Sequence, residues 1–431
     1  MKNLNIEYDK YKLENGLEVI LHENNNLPIT AVNIWYKVGS ANEHKGKTGI
    51  AHLFEHMMFQ GSQNVPKEAH FRYIQEAGGI LNGSTSFDRT NYYEKIPANF
   101  LEMIFWLESD RMGYLLPALT PEKLKNQKEV VSNERLERYD NQPYGLAWEK
   151  LISNLYPENH PYSWSTIGSL EDISSFTLED VSNFFKKYYS PSNAALVVAG
   201  SFDKNNVKDL VSKYFESIPS TNGIEKLNTE QSNLNENKLI THEDNVQLER
   251  LYLAWHSEKA YENDDAALDV LSDILTGSKN SRLYKTLVFE KELAQDITAY
   301  QYSGKYAGHF MFIATARPGV SLSSIKNEIF NEIDKIRLNS VSIKELTKSK
   351  NGIKSGFIYS LQNIDSLADQ LNSYNYYLNE PNSFNKDLKR YESITADDIK
   401  RVIDKYFYKP YVELQIVPKT KSGQPDGKGN S

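Results

Sequence analysis

The chain has 431 residues, 39% apolar and 25% charged, with no cysteine and a formal net charge of −8. Such a length suggests two to four domains with buried cores, and the missing cysteines exclude disulfides, thiol nucleophiles and thiolate metal sites. The acidic balance argues against a nucleic-acid or anionic-membrane surface. No apolar run approaches a membrane span and the opening MKNLNIEYDKYKLENG has no signal-peptide core, so the expectation is a soluble, cytoplasmic protein.

In chain order, LEVILHE (17–23) and ITAVNIWYKV (29–38) read as strands, and a helix is expected near 48–59. Further helices are expected near 67–77, 98–112 and 121–139, the last with Thr120 as its N-cap and Pro121 at its first position. Strand signals follow at 83–96 and 194–199. Residues 177–199 (TLEDVSNFFKKYYSPSNAALVVA) then lie over 395–417 (TADDIKRVIDKYFYKPYVELQIV) at a shift of 218 without a gap. Thr177, Asp180, Lys187, Tyr188 and Leu196 recur as Thr395, Asp398, Lys405, Tyr406 and Leu414, while Val181, Tyr189 and Val198 return as Ile399, Phe407 and Ile416. What repeats is a capped amphipathic helix followed by a strand. Residues 220–238 are polar and rich in Asn, as a linker is. The expected organisation is therefore two similar halves, 1–219 and 239–418, followed by a polar, disordered tail, 419–431. The expected fold class is α+β, each half a mainly antiparallel sheet covered by helices on one face.

One motif carries chemistry. His52-Leu53-Phe54-Glu55-His56 lies in GIAHLFEHMMFQG, which contains no internal helix breaker. On a helix His52 and His56 share one face, one turn apart, the spacing at which two imidazoles can hold a Zn²⁺ ion. Glu55 sits about 100° around the helix from His56, near enough to exchange a proton at the metal without being forced to ligate. Two satisfied histidines on a partly buried helix are the bland alternative. A catalytic zinc site needs a third ligand, most simply a carboxylate from another helix. In TPEKLKNQKEVVSNERLERYD, Leu124, Gln127, Val131 and Glu134 fall at i, i+3, i+7 and i+10, the seam that should face inward. Glu134 is the preferred ligand; Glu129, Glu137 and Glu122 lie more toward solvent, with Glu137 the reserve. Taken alone, Glu134 could equally pair with a neighbouring arginine.

HLFEHMMFQGS and NQKEVVSNERLERYDNQPYG resemble the insulinase/pitrilysin zinc peptidases, whose inverted motif is H-x-x-E-H, and the resemblance extends over nearly the whole chain. It implies one Zn²⁺ per chain held by His52, His56 and Glu134, with Glu55 as the catalytic base. The family's carboxylate ligand corresponds to Glu134, 78 residues after His56. A supporting acid of the family falls on Gln127, a departure from its pattern. NGSTSFDRTNYYEKI resembles the strand that borders the family's active site and takes up the substrate as a further strand, which implies substrate contacts at Asn82, Gly83 and Ser84. Ser84, Ser86, Thr90 and Tyr92 alternate as one edge strand would, though Asn-Gly is also an ordinary turn signal.

The second half lacks the donors. Aligning Gly61 with Gly277 places Leu268, Leu271 and Ser272 where the first half has His52, Glu55 and His56, and aligning Thr120 with Ser342 places Gly356 opposite Glu134. The resemblance also implies a substrate-binding Arg and Tyr in the half that completes an active enclosure, and here Val288 and Gln295 stand in those places. The expectation is a zinc endopeptidase for peptides or unfolded segments that works as the catalytic half of a two-subunit enclosure. Its partner is a homologous non-catalytic subunit or a second copy in a homodimer, with no nucleic acid or membrane involved. The competing readings are a non-enzymatic core or assembly subunit and a metal-dependent hydrolase of phosphoesters or small amides. His22, His44, His70, His160, His242, His256 and His309 have no partner at ligand spacing and read as structural or solvated.

Overall fold

Two sheets with one shared strand order organise the chain. The computed structural model describes residues 4–221, 224, 227, 229 and 233–419, so the tail from 420 and part of the linker expected at 220–238 lie outside the described residues. The first sheet contains β1 (Asp9–Lys12), β2 (Glu18–Glu23), β3 (Ile29–Tyr36), β4 (Ile80–Thr85), β5 (Thr90–Pro97) and β6 (Ala194–Gly200), in the order β1-β2-β6-β3-β5-β4. The second contains β7 (Lys238–Asp244), β8 (Arg250–Ser257), β9 (Ala294–Ser303), β10 (Gly308–Ala316) and β11 (Val412–Pro418), in the order β7-β11-β8-β10-β9. Pairing is antiparallel except for β2 with β6 and β7 with β11. Setting β1 aside, the two orders match strand for strand, and the edge strand β4 corresponds to the edge strand β9.

The first half carries α1 (Ile50–Met57), α2 (Ala69–Glu76), α3 (Leu101–Tyr114), α4 (Pro121–Arg135), α5 (Ala147–Leu155), α6 (Leu170–Ser175), α7 (Leu178–Tyr188) and α8 (Lys204–Phe215). The second carries α9 (Asp265–Thr276), α10 (Arg282–Tyr284), α11 (Leu322–Asn339), α12 (Ile343–Ser360), α13 (Ile364–Leu378), α14 (Phe384–Ser393) and α15 (Ala396–Tyr406). The repeated sequences are α7 with β6 and α15 with β11. Both helices open on the same capping box, Thr177 with Asp180 and Thr395 with Asp398, each pair satisfying two otherwise free backbone donors.

The helices of each half that pack on its own sheet cover one face, as expected, and the structure adds a helix from the other half on the opposite face. Strand β6 is buried along its whole length. Leu196 and Val198 join the core that contains Leu53 and Phe54 of α1, while Val197 and Ala199 point the other way, onto Leu367, Ala368, Leu371 and Tyr374 of α13. Helix α13 belongs to the second half. In return α5 of the first half lays Ala147, Leu151, Ile152 and Leu155 on Tyr252, Ala254, Val412, Leu414 and Ile416 of the second sheet. Each half thus lends a helix to the outer face of the other's sheet, and a strand buried on both faces must be apolar at successive positions, as AALVVAG is. Polar ties reinforce the exchange. Asp369 of α13 accepts hydrogen bonds from Asn33 Nδ2, Trp35 Nε1 and Asn91 Nδ2 at 3.1, 2.9 and 3.0 Å. Among the described residues no helix is long and apolar enough to cross a membrane.

Candidate active site

Helix α1 begins after Gly49, whose φ of 90° is left-handed and which has no side chain to cap the helix. The buried carboxylate of Glu43 does so instead, accepting from Gly49 N at 2.9 Å and from Ala51 N at 2.8 Å. Leu53, Phe54 and Met57 anchor the helix in the core, leaving His52, Glu55 and His56 half-buried on its other side. Helix α4, packed against α1, starts as expected, with Thr120 accepting from Lys123 N and Pro121 in the first turn. Leu124, Gln127 and Val131 are buried along its seam, which carries Glu134 to the two histidines.

Glu134 Oε2 lies 3.9 Å from His52 Nε2 and 3.4 Å from His56 Nε2, while Oε1 forms an ion pair with Arg138 Nη1 at 2.7 Å. The two oxygens of this carboxylate therefore face different neighbours, Oε2 the histidines and Oε1 the arginine. Glu122, Glu129 and Glu137 are exposed. Burial and the neighbouring His56 push His52 down to about 4, and the hydrogen bond from His56 holds Glu134 below the usual carboxylate range. At neutral pH His52 is an uncharged imidazole and Glu134 an anion, the forms that metal ligation requires. Tetrahedral zinc with bonds of about 2.1 Å separates its ligand atoms by about 3.4 Å. The donor types and spacings fit that ion with a fourth position left open. Gln127 donates to Asn126 Oδ1 at 2.8 Å and supports neither histidine, and His52 Nδ1 is buried without a hydrogen-bond partner.

Glu55 stands beside this group. Thr85 Oγ1 donates to its Oε2 at 2.5 Å, and burial pushes its carboxyl above the usual range against that hydrogen bond. A Cβ on Gly83 would lie 3.2 Å from Glu55 Cγ and Oε1 and 3.2 Å from Tyr92 Cδ1, so glycine leaves the carboxylate its room. Gly83 and Thr85 lie on β4, whose outer side has no neighbouring strand among the described residues. Asn82 is exposed, its Oδ1 accepting from Gly83 N at 2.9 Å, and Ser84 Oγ donates to Asn91 Oδ1 at 2.6 Å. The single edge strand expected through Ser84, Ser86, Thr90 and Tyr92 is corrected: Ser84 is on the edge, Ser86 is in the turn, and Thr90 and Tyr92 are fully buried on the inner strand β5.

Among the described residues a second donor triangle joins His70, Glu94 and Glu108, with His70 Nε2 at 3.8 and 3.6 Å from the two carboxylates. All three are buried, and sequence spacing gave His70 no partner because both carboxylates come from distant segments. Here the place of a cation is already filled. Arg111 Nη2 lies 3.3 Å from Glu94 Oε1 and bonds Glu108 Oε1, and its Nε donates to Glu108 Oε2 at 3.0 Å.

Residues 18–168 match the family described as Insulinase (Peptidase family M16), and residues 175–353 match Peptidase M16 inactive domain. The zinc protease PqqE of Helicobacter pylori is 31% identical over 410 residues, covering 93% of this chain and 90% of that one. The chain belongs to the M16 peptidase family. The crystal structure of a protease from Helicobacter pylori matches with a TM-score of 0.90 at 29% identity, covering 96% of this chain and 100% of that chain. A probable mitochondrial-processing peptidase subunit beta of Arabidopsis thaliana is 24% identical, covering 94% of this chain and 77% of that one. The M16 inactive-domain match includes α9, where Leu268 and Leu271 are fully buried in the second core and offer no donor. Gly356 of α12 has open space where a side chain would begin.

Proposed function

We propose that this chain is the zinc-bearing half of an M16 endopeptidase acting on peptides or unfolded polypeptide segments. The observation that carries the proposal is the convergence of His52 Nε2, His56 Nε2 and Glu134 Oε2, with the carboxylate of Glu55 alongside. His52, His56 and Glu134 would hold Zn²⁺, which when bound supplies a Lewis acid for the scissile carbonyl and acidifies water. Glu55, oriented by Thr85, takes a proton from the attacking water and returns it to the leaving amine. Its raised carboxyl suits a group that must accept and then donate near neutrality. The free edge of β4 presents backbone N–H and C=O groups, and an extended peptide added there contacts Asn82, Gly83 and Ser84 with little reading of its side chains.

In this reading the second half encloses substrate and does not cut it. Val288 is buried and Gln295 is exposed on β9, so the Arg and Tyr implied by the family resemblance come from a partner. That partner is a homologous non-catalytic subunit or a second copy of this chain. The name of the plant relative, a processing-peptidase subunit, supports an assembly of two subunits. The intact donor set weighs against a non-enzymatic assembly role. The test uses purified chain with one bound zinc and a quenched peptide library, with and without a homologous partner. Glu55→Gln should keep the zinc and lose cleavage, whereas His52→Ala should lose both. Full cleavage by metal-verified Glu55→Gln would overturn the proposal.

A further inference from the structure

Two of the proposed donors sit on α1 and the third on α4, so their fit to one ion depends on what fixes α4 against the start of α1. Arg135 directly follows Glu134 but points into the protein, with 7% of its surface exposed. Its Nη2 donates to Glu149 Oε2 of α5 at 2.8 Å and to Asp140 Oδ1 at 3.3 Å, and its Nη1 bonds Glu149 Oε1. Nη1 also donates to the carbonyl oxygen of Gly168. Gly168 in turn lies directly against the residues that open α1. A Cβ on Gly168 would stand 2.4 Å from Thr48 O and 2.5 Å from Gly49 Cα, and a Cβ on Gly49 would stand 2.6 Å from Ile167 O. Both glycines have positive φ, 76° and 90°, so neither the contact nor the backbone tolerates a side chain. Gly49 lies three residues before His52.

We infer that Arg135 is a positioning residue: it ties the residue beside Glu134 to the backbone that opens the His52–His56 helix, and so sets the spacing of the three donors. The inference deepens the proposed function and rests on it. A planar guanidinium suits the task because it can fork onto one carboxylate and still reach a carbonyl in a fixed direction, which a lysine ammonium cannot do. Glu149 is the counter-anchor, and Ser165 Oγ donates to the same carboxylate. A π-helical turn over Leu136–Asp140 follows immediately and brings Asp140 back to Arg135 as a further acceptor for Nη2, while Nε stays buried without a partner.

The test compares full-length Arg135→Lys and Glu149→Gln with the unaltered chain, and takes Glu134→Gln as the reference for outright loss of a donor. Zinc affinity is read by chelator competition, site geometry by the visible spectrum of the Co²⁺-substituted protein, and folding by thermal melting of the metal-free form. Arg135→Lys and Glu149→Gln should weaken zinc binding about 10- to 100-fold and shift the Co²⁺ bands, at a metal-free melting temperature close to that of the unaltered chain. Unchanged zinc affinity and spectrum in the folded variants would overturn the inference, as would a lowered melting temperature with zinc affinity intact. If the unaltered chain itself takes up no zinc, the proposed function fails first and this inference fails with it.

Discussion

Replacing Thr85 by valine removes one hydrogen bond and almost nothing else. The two side chains have nearly the same shape, and a strand-end position suits valine. The lost bond is the 2.5 Å donation to Glu55 Oε2, an interaction with a half-buried carboxylate. Hydrogen bonds to charged groups contribute about 1.5–3 kcal/mol. With about 1.4 kcal/mol per decade of rate, Thr85→Val should lower kcat about 10- to 150-fold. Neither the donors of the metal group nor the backbone of β4 is touched, so zinc content and KM should stay close to those of the unaltered chain. Initial rates on a cleaved peptide, paired with metal analysis of the same samples, make the measurement. Thr85→Ser should retain most of the activity because it keeps the hydroxyl. An unchanged kcat in Thr85→Val, or a loss confined to zinc content, would refute the role given to this contact.

Two further outcomes concern the join between the halves. Leu371→Ala opens a cavity between α13 and the first sheet, where Leu371 is fully buried against Val197 and Ala199. It should cost about 2–5 kcal/mol, and denaturant unfolding should show the first half losing stability although the substitution lies in the second. Acid should weaken the reciprocal join, where His309 and His256 pair across β10 and β8 and both pack on Tyr156 at the end of α5, because burial pushes them down to about 3 and about 4. Unfolded imidazoles take a proton near pH 6.5, so stability is full above that pH and falls as pH drops toward 4, by about 1.4 kcal/mol per pH unit for each histidine kept neutral. Urea unfolding between pH 7.5 and 4.5 should show this slope, flattened in His309→Gln; an identical slope in that variant would contradict the assignment.

Local patterns carried much of the architecture into view. The H-x-x-E-H helix, the Thr120-Pro121 start of α4, and the Thr177 and Thr395 capping boxes each depend on residues within one or two helical turns, where spacing alone decides the geometry. The unbroken apolar run AALVVAG fits a strand covered on both faces, but the expectation stopped at one face because the second covering helix comes from the other half and no local rule names it. The turn at Ser86–Arg89 was hidden because SFDR carries neither Gly nor Pro, and the alternation continues through it. Arg135 escaped the seam argument because its burial depends on Glu149 and Gly168, which approach only in the folded chain. The His70–Glu94–Glu108 triangle was hidden for the same reason.

One metal ion should bind this chain, at His52, His56 and Glu134. Anomalous diffraction from crystals grown with zinc, recorded above and below the zinc absorption edge, tests it directly. A single strong peak is expected about 2.0–2.2 Å from His52 Nε2, His56 Nε2 and Glu134 Oε2, and none between His70, Glu94 and Glu108, where Arg111 already sits. A peak at that second triangle, or zinc-free density at the first in a preparation that cleaves peptide, would contradict it.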